Sequence, residues 1–71
     1  MNYREFTKKL SAIGCHEMMR RGGGSHRKWF NPVSGRGTTI PDWGHKDLKV
    51  GTISAVCRQL GVDRNSLSGE R

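Results

Sequence analysis

The chain has 71 residues, so it can form only one small domain with a modest core and no room for a separate cofactor domain. Thirteen Lys and Arg against six Asp and Glu give a formal net charge of +7. No apolar run is long enough to span a bilayer, and no signal-peptide core follows Met1. We therefore expect a cytoplasmic protein with no membrane attachment and no cofactor, whose partner is a polyanion such as nucleic acid.

The two cysteines, Cys15 and Cys57, lie far apart in the sequence. In a reducing cytosol they are expected to be buried thiols, and a disulfide between them is the less favoured alternative. The three His and two Cys include no Cys-x-x-Cys or His-x-x-x-His pair, so no metal site is expected.

A first amphipathic helix is predicted near the N-terminus. Asn2 can cap it, with Glu5 reaching back three positions later. The apolar stripe consists of Tyr3, Phe6, Leu10 and Ile13. Gly14 follows this stripe and is expected to end the helix in the left-handed conformation.

Strands are predicted in the middle of the chain. The helical period is lost over residues 15–21, and the triple glycine 22–24 favours a turn, so we expect a strand before it and another at residues 25–31. That second strand contains the adjacent Trp29 and Phe30, which must point to opposite faces, leaving one exposed or at an edge.

Turn-forming residues fill positions 31–37, and the β-branched residues 38–40 predict a third strand. The three strands together suggest an antiparallel meander, whose register the sequence does not define.

A second helix is predicted from an apolar i, i+3, i+4, i+7 pattern formed by Ile53, Val56, Cys57 and Leu60. Gly61 is expected to end it, and either Asp47 or Thr52 is expected to cap its start. Residues 63–67 can add a short extra turn, and residues 68–71 are expected to be a frayed tail.

The predicted order is helix, three strands, helix, which defines an α+β fold in a single domain spanning residues 1–71. Two apolar helical stripes need one common surface, so both helices should pack on one face of the sheet. The other face, the sheet edge or the glycine-rich turn is left for chemistry.

Histidine can take and give a proton near neutral pH, which cleavage of RNA requires. His26 follows the glycine run and is the candidate general base or acid, with a phosphate-contacting surface residue as the alternative. His16 and His45 are isolated in sequence and are expected to be ordinary surface or loop residues.

Phosphate contacts are expected around His26. The backbone of Gly24 and Ser25 can approach an anion closely, because glycine leaves the amides accessible. The cations expected to bind phosphate are Arg20, Arg21, Arg27, Lys28, Lys46 and Lys49. Trp29 and Trp43 can each either stack on bases or pack in the core, and the sequence favours neither role.

Several short stretches of the chain, between Leu10 and Gly61, resemble the HicA-type messenger-RNA interferases. The matching stretches are Ile13-Gly14-Cys15, Gly24-Ser25-His26, Asn31-Pro32, Gly37-Thr38-Thr39-Ile40-Pro41, Lys46-Asp47-Leu48-Lys49, Gly51-Thr52-Ile53 and Arg58-Gln59-Leu60-Gly61. The resemblance implies a fold like the double-stranded-RNA-binding domain and metal-independent RNA cleavage with His26 as the essential residue. It also implies a HicB-type antitoxin that covers this histidine.

Two positions depart from the family pattern. Trp43 stands where the family often has a histidine, and His45 lies two residues further on. Gly22 and Gly23 lengthen the turn before Ser25, as in some subgroups. Two alternatives to an active nuclease stay open at this stage, namely a non-catalytic RNA-binding module that uses the same basic surface, and a toxin that acts only within a repressor complex.

Overall fold

A computed structural model describes residues 1–18 and 26–68 of the chain. In chain order the elements are α1 (Tyr3–Ala12), β1 (His16–Glu17), β2 (His26–Asn31), β3 (Arg36–Pro41), α2 (Val50–Leu60) and α3 (Arg64–Ser68). The strands form one antiparallel sheet in the order β1-β2-β3. The predicted α+β fold with the order helix, three strands, helix is therefore confirmed, with α3 as the short extra turn.

Helix α1 begins with the predicted capping box. The Asn2 Oδ1 atom accepts a hydrogen bond from the Glu5 amide at 2.9 Å, and Glu5 Oε1 accepts one from the Asn2 amide at 3.0 Å. These two bonds satisfy amides that have no partner inside the helix. At the other end Gly14 has a φ of 103°, as expected for a residue that turns the chain out of the helix.

The core lies between the helices and one face of the sheet. Its largest fully buried side chains are Phe6 and Leu10 from α1, Ile40 from β3 and Leu60 from α2. Cys15 and Cys57 are buried as free thiols, which confirms the prediction for both. Burial raises the pKa of each thiol above its ordinary value.

Strand β2 is central and determines what each sheet face presents. Its side chains alternate, so that Trp29 and Asn31 are buried on the helix side while His26, Lys28 and Phe30 point the other way. We call this second side the open face, since no described helix packs on it. By strand pairing it also carries His16, Met18, Gly37, Thr39 and Pro41.

Two strand boundaries differ from the prediction. The described part of β1 is only His16–Glu17, whereas residues 15–21 were expected to be extended, and those beyond 18 lie outside the described residues. Strand β3 is longer than predicted and includes Arg36 and Gly37. The turn is therefore confined to residues 32–35, because the Gly35 amide donates to the Asn31 carbonyl at 2.8 Å and closes it.

Helix α2 begins at Val50, and neither Asp47 nor Thr52 caps it. Lys49 is the capping residue, and its side chain makes no capping bond. The prediction of Asp47 was wrong because residues 47 and 48 are used otherwise: Asp47 bridges to Asn2, and the Leu48 amide donates to the Met1 carbonyl at 2.8 Å. Helix α2 ends as predicted, at Gly61 with a φ of 68°.

The C-terminal end of the chain departs in part from the prediction. Ser68 is the last residue of α3 rather than the first of a frayed tail. Residues 69–71 lie outside the described part of the chain.

Candidate active site

His26 is the first residue of β2 and is exposed on the open face, opposite Pro41 of β3. Lys28, two positions along the same strand, is also exposed and faces the same way. Two residues of a strand span about 7 Å, so the ammonium group of Lys28 can reach a phosphate held at His26. The structure therefore brings His26 and Lys28 together.

Four of the predicted site residues cannot be placed relative to His26. Arg20, Arg21, Gly24 and Ser25 lie outside the described residues. Their assignment as phosphate-binding groups stays a prediction.

Arg27 lies on the helix side of β2, away from the imidazole of His26. Its guanidinium binds Glu17 Oε2 at 3.2 Å and Asp42 Oδ2 at 3.6 Å. The hydrogen bond and charge of Glu17 raise the pKa of Arg27 above its ordinary value. Arg27 thus links β1 to the residue that follows β3, a contact that the sequence did not predict, and its role toward phosphate stays a prediction.

The loop between β3 and α2 leaves the sheet beside His26, because Pro41 is the partner of His26 in the sheet. Its first turn is closed by the Asp42 Oδ1 atom, which accepts a bond from the Gly44 amide at 3.0 Å. The exposed side chains of this loop include Trp43, His45, Lys46 and Lys49. Lys46 and Lys49 are therefore accessible to phosphate, as their predicted role requires.

His45 lies in the middle of this loop. It lines a shallow groove together with residues 2–5 at the start of α1 and with Asp42. The interpretation of His45 as a loop residue agrees with this position.

The two aromatic residues of β2 have different surroundings. Trp29 is buried, and its Nε1–H donates to the Tyr3 hydroxyl at 2.9 Å, so it is a packing residue. Phe30 is half-buried on the open face, where the ring of His16 meets it edge-on with 5.8 Å between ring centroids. Alternation along β2 places Phe30 on the face of His26 once Trp29 is assigned to the core, whereas His16 is placed there only by the pairing of β1 with β2.

The open face is free of carboxylates within the described strand residues. Glu17 and Asp42, the acidic residues that flank the sheet, both turn toward Arg27 on the helix side. The open face then carries the ammonium of Lys28 and the imidazoles of His16 and His26. Such a surface attracts phosphate groups, because no carboxylate of the described strands is there to repel them.

Neither a metal centre nor a membrane span is found in residues 1–18 and 26–68. No three His, Cys, Asp or Glu side chains there come together as a group that could hold a metal ion. None of the helices there is long and apolar enough to cross a bilayer.

Fold and site together define a small basic α+β domain whose sheet presents an exposed histidine beside a lysine. Residues 3–62 match the family model described as the HicA toxin of bacterial toxin–antitoxin systems. The chain therefore belongs to the HicA toxin family. It is 36% identical over 62 residues to a protein of Pseudomonas fluorescens (strain Pf0-1) named probable mRNA interferase HicA, and the alignment covers 87% of this chain and 97% of that protein.

Proposed function

We propose that this chain is the toxin of a toxin–antitoxin pair and that it cleaves messenger RNA, with His26 transferring a proton in the reaction. Membership of the HicA toxin family and the likeness to a protein named as an mRNA interferase support the activity. The observation that carries the role of His26 is its position, exposed on the open face with Lys28 beside it.

The proposed reaction is an internal transesterification. The 2′-oxygen of a ribose forms a bond to the adjacent phosphorus and loses its proton, while the bond from phosphorus to the 5′-oxygen breaks and that oxygen gains a proton. The products are a 2′,3′-cyclic phosphate and a 5′-hydroxyl end. His26 acts as the base for the first proton or as the acid for the second, and Lys28 stabilises the charge on the phosphorus oxygens.

Cleavage of a purified RNA in buffer containing EDTA tests this proposal. Wild-type protein is expected to cut the RNA, and His26→Ala is expected to lose activity by at least about a hundredfold, as is usual for removal of a general acid or base. A 2′-deoxy substitution at the scissile nucleotide should block cleavage there, since the nucleophile is missing. Lys8→Ala, which changes an exposed lysine of α1, is the matched control.

Two results would reject the proposal. One is unchanged cleavage by His26→Ala. The other is wild-type protein that binds RNA but never cuts it, which would favour the non-catalytic RNA-binding module.

We further propose that the antitoxin is of the HicB type, covers His26 in the complex, and holds the toxin inactive in the cytoplasm, where messenger RNA is translated. Exposure of His26 in the free chain supports this, because an exposed residue can be covered by a partner. Modification of histidines by diethyl pyrocarbonate, mapped by mass spectrometry, tests it. His26 should react in the free toxin and be protected in the complex, and equal reaction in both would contradict coverage.

A further inference from the structure

We propose that Phe30 is a stacking platform for a nucleobase of single-stranded RNA, on the same open face as His26. The inference deepens the proposed function, since it names a binding subsite for the RNA that His26 would cleave.

The surroundings of Phe30 leave its ring accessible. A shallow depression on the open face is lined by Met18, Lys28, Phe30, Gly37 and Thr39, together with atoms of Trp29 and Thr38. Gly37 lies opposite Phe30 on β3, and a Cβ atom there would come within 3.8 Å of Phe30 Cδ1 and 3.2 Å of the Trp29 carbonyl oxygen. Because glycine has no side chain, β3 leaves the ring of Phe30 uncovered at this point.

Phe30 is also unusual in its position. It sits on the central strand yet points away from the core, which already contains Trp29 from the same strand. Its described aromatic neighbour, His16, is inclined to it at an interplanar angle of 65°, a T-shaped arrangement in which the two rings do not stack. An aromatic ring on a sheet face is a sequence-tolerant surface for bases.

The charge of the surface favours an anionic occupant such as RNA over a basic or purely apolar protein segment. Lys28 flanks Phe30 on the same strand, and Thr39 opposite Lys28 offers a hydroxyl. Both nearby carboxylates are held by Arg27 on the other side of the sheet. A base on Phe30 would therefore have its phosphate next to a lysine and no carboxylate from the described strands nearby.

The spacing relative to His26 separates the platform from the point of cleavage. Phe30 lies four positions from His26 along β2, about 13 Å at the usual rise of a strand. That distance is longer than one nucleotide, so the stacked base belongs to a nucleotide near the scissile one and not to the scissile nucleotide itself. The platform would then hold the strand in place for cleavage without touching the reacting atoms.

The test uses a short 2′-O-methyl oligonucleotide carrying 5-iodouridine, which the protein cannot cleave because the 2′-hydroxyl is blocked. Affinity is measured by fluorescence anisotropy for wild type, Phe30→Leu, which keeps an apolar side chain but removes the ring, and Phe30→Trp, which keeps a ring. We expect roughly tenfold weaker binding for Phe30→Leu and near wild-type binding for Phe30→Trp. Val33→Ala removes an exposed apolar side chain from the β2–β3 turn and is the control. Circular dichroism confirms that each variant is folded.

Photo-crosslinking of the same oligonucleotide distinguishes direct contact with RNA from a purely structural role of Phe30, because a structural residue would not form the crosslink. The crosslinked peptide is expected to contain Phe30. Crosslinks confined to the helices, or a Phe30→Leu variant with wild-type affinity, would overturn the proposal. So would a Phe30→Leu variant that keeps its RNA affinity but loses binding to the antitoxin, since the face would then be a protein-binding surface.

The outcome for the platform is separable from that for catalysis. If wild-type protein fails to cleave RNA but the affinity and crosslinking results hold, the role of His26 fails and the platform stands. If His26→Ala abolishes cleavage while Phe30→Leu binds normally, the reverse is true.

Discussion

Asn31 shows how one side chain joins the sheet to the end of a helix. It is buried, its Nδ2 group donates to the Leu60 carbonyl at 2.8 Å, and its Oδ1 atom accepts from the Val33 amide at 3.0 Å. Ser34 Oγ donates to the same Leu60 carbonyl at 2.7 Å. The C-terminal end of α2, where carbonyls lack helical partners, is thus fastened to the β2–β3 turn.

Replacing Asn31 by Asp should destabilise the fold more than replacing it by Ala. Asn31→Ala removes both bonds and is expected to lower the free energy of unfolding by about 1–3 kcal/mol. Asn31→Asp keeps the shape but places a carboxylate oxygen against the Leu60 carbonyl, so two acceptors face each other. Urea unfolding at neutral pH measures both. Ser34→Ala, which keeps the Asn31 bond, is the control and should lose less.

The hydrogen bond between Tyr3 and Trp29 is a second contact, and it can be tested by removing one hydroxyl group. Tyr3→Phe removes only the hydroxyl and leaves the buried Trp29 Nε1–H without its acceptor. We expect a loss of about 1 kcal/mol in the free energy of unfolding. A double-mutant cycle with Trp29→Phe should show a coupling of similar size, and additive effects would contradict the contact.

At the scale of the elements, the sequence predicted those helix ends that depend on hydrogen bonds between residues close together in the chain. The capping box at Asn2 and Glu5 and the left-handed Gly61 were both readable, because each depends on residues within one turn of the helix. The start of α2 was not readable, because Asp47 is paired with Asn2, which is distant in sequence. For the same reason the sequence predicted β2 itself but not its register with β1 and β3.

The alternation of side chains along β2 predicts different behaviour for two adjacent cations. Lys28 lies on the open face with His26, and Arg27 binds carboxylates on the other. Lys28→Gln should weaken RNA binding and reduce the slope of log affinity against log salt by about one. Arg27→Gln should instead lower stability, by a modest amount because the pair is partly exposed. Titrations at several salt concentrations measure the slopes, and an equal reduction for Arg27→Gln would show that Arg27 also binds phosphate.

At the scale of the whole molecule, the basic character and the candidate histidine can be predicted from the sequence, whereas their arrangement on the surface is visible only in the structure. The net charge of +7 predicts polyanion binding without saying which face is used. Only the fold shows that Glu17 and Asp42 turn away from the face of His26. Phe30 could not be assigned from sequence alone, since alternation relates it to Trp29 but does not say which of the two is buried.

The stability of the whole domain should fall at alkaline pH. Burial raises the pKa of Cys15 and Cys57 above the ordinary value of 9.0, and it raises that of Tyr3 above 10.0. Below these values all three groups are neutral in both states; above them the unfolded chain ionises first and is favoured. We expect the free energy of unfolding to fall as the pH rises through the ordinary pKa of the thiols, 9.0, and then through that of the Tyr3 hydroxyl, 10.0. A Cys15→Ala/Cys57→Ala variant should have a lower free energy of unfolding at neutral pH and a smaller decrease at alkaline pH. Parallel curves of unfolding free energy against pH for the variant and the wild type would contradict the explanation.

The same burial should make both thiols slow to react. Alkylation needs the thiolate and access to it, and the folded chain offers little of either. Iodoacetamide at mildly alkaline pH is expected to leave the folded protein unlabelled and to add two groups in denaturant, as judged by intact mass. Rapid labelling of the folded protein would show that the core opens readily.

The low reactivity expected of the two native cysteines has a practical use. Val33, at the tip of the β2–β3 turn, is 87% exposed and lies at the opposite end of β2 from His26. Val33→Cys would therefore offer one reactive sulfhydryl without removing the native pair, and a dye attached there would report on binding at the sheet from the end of β2 that is farther from His26.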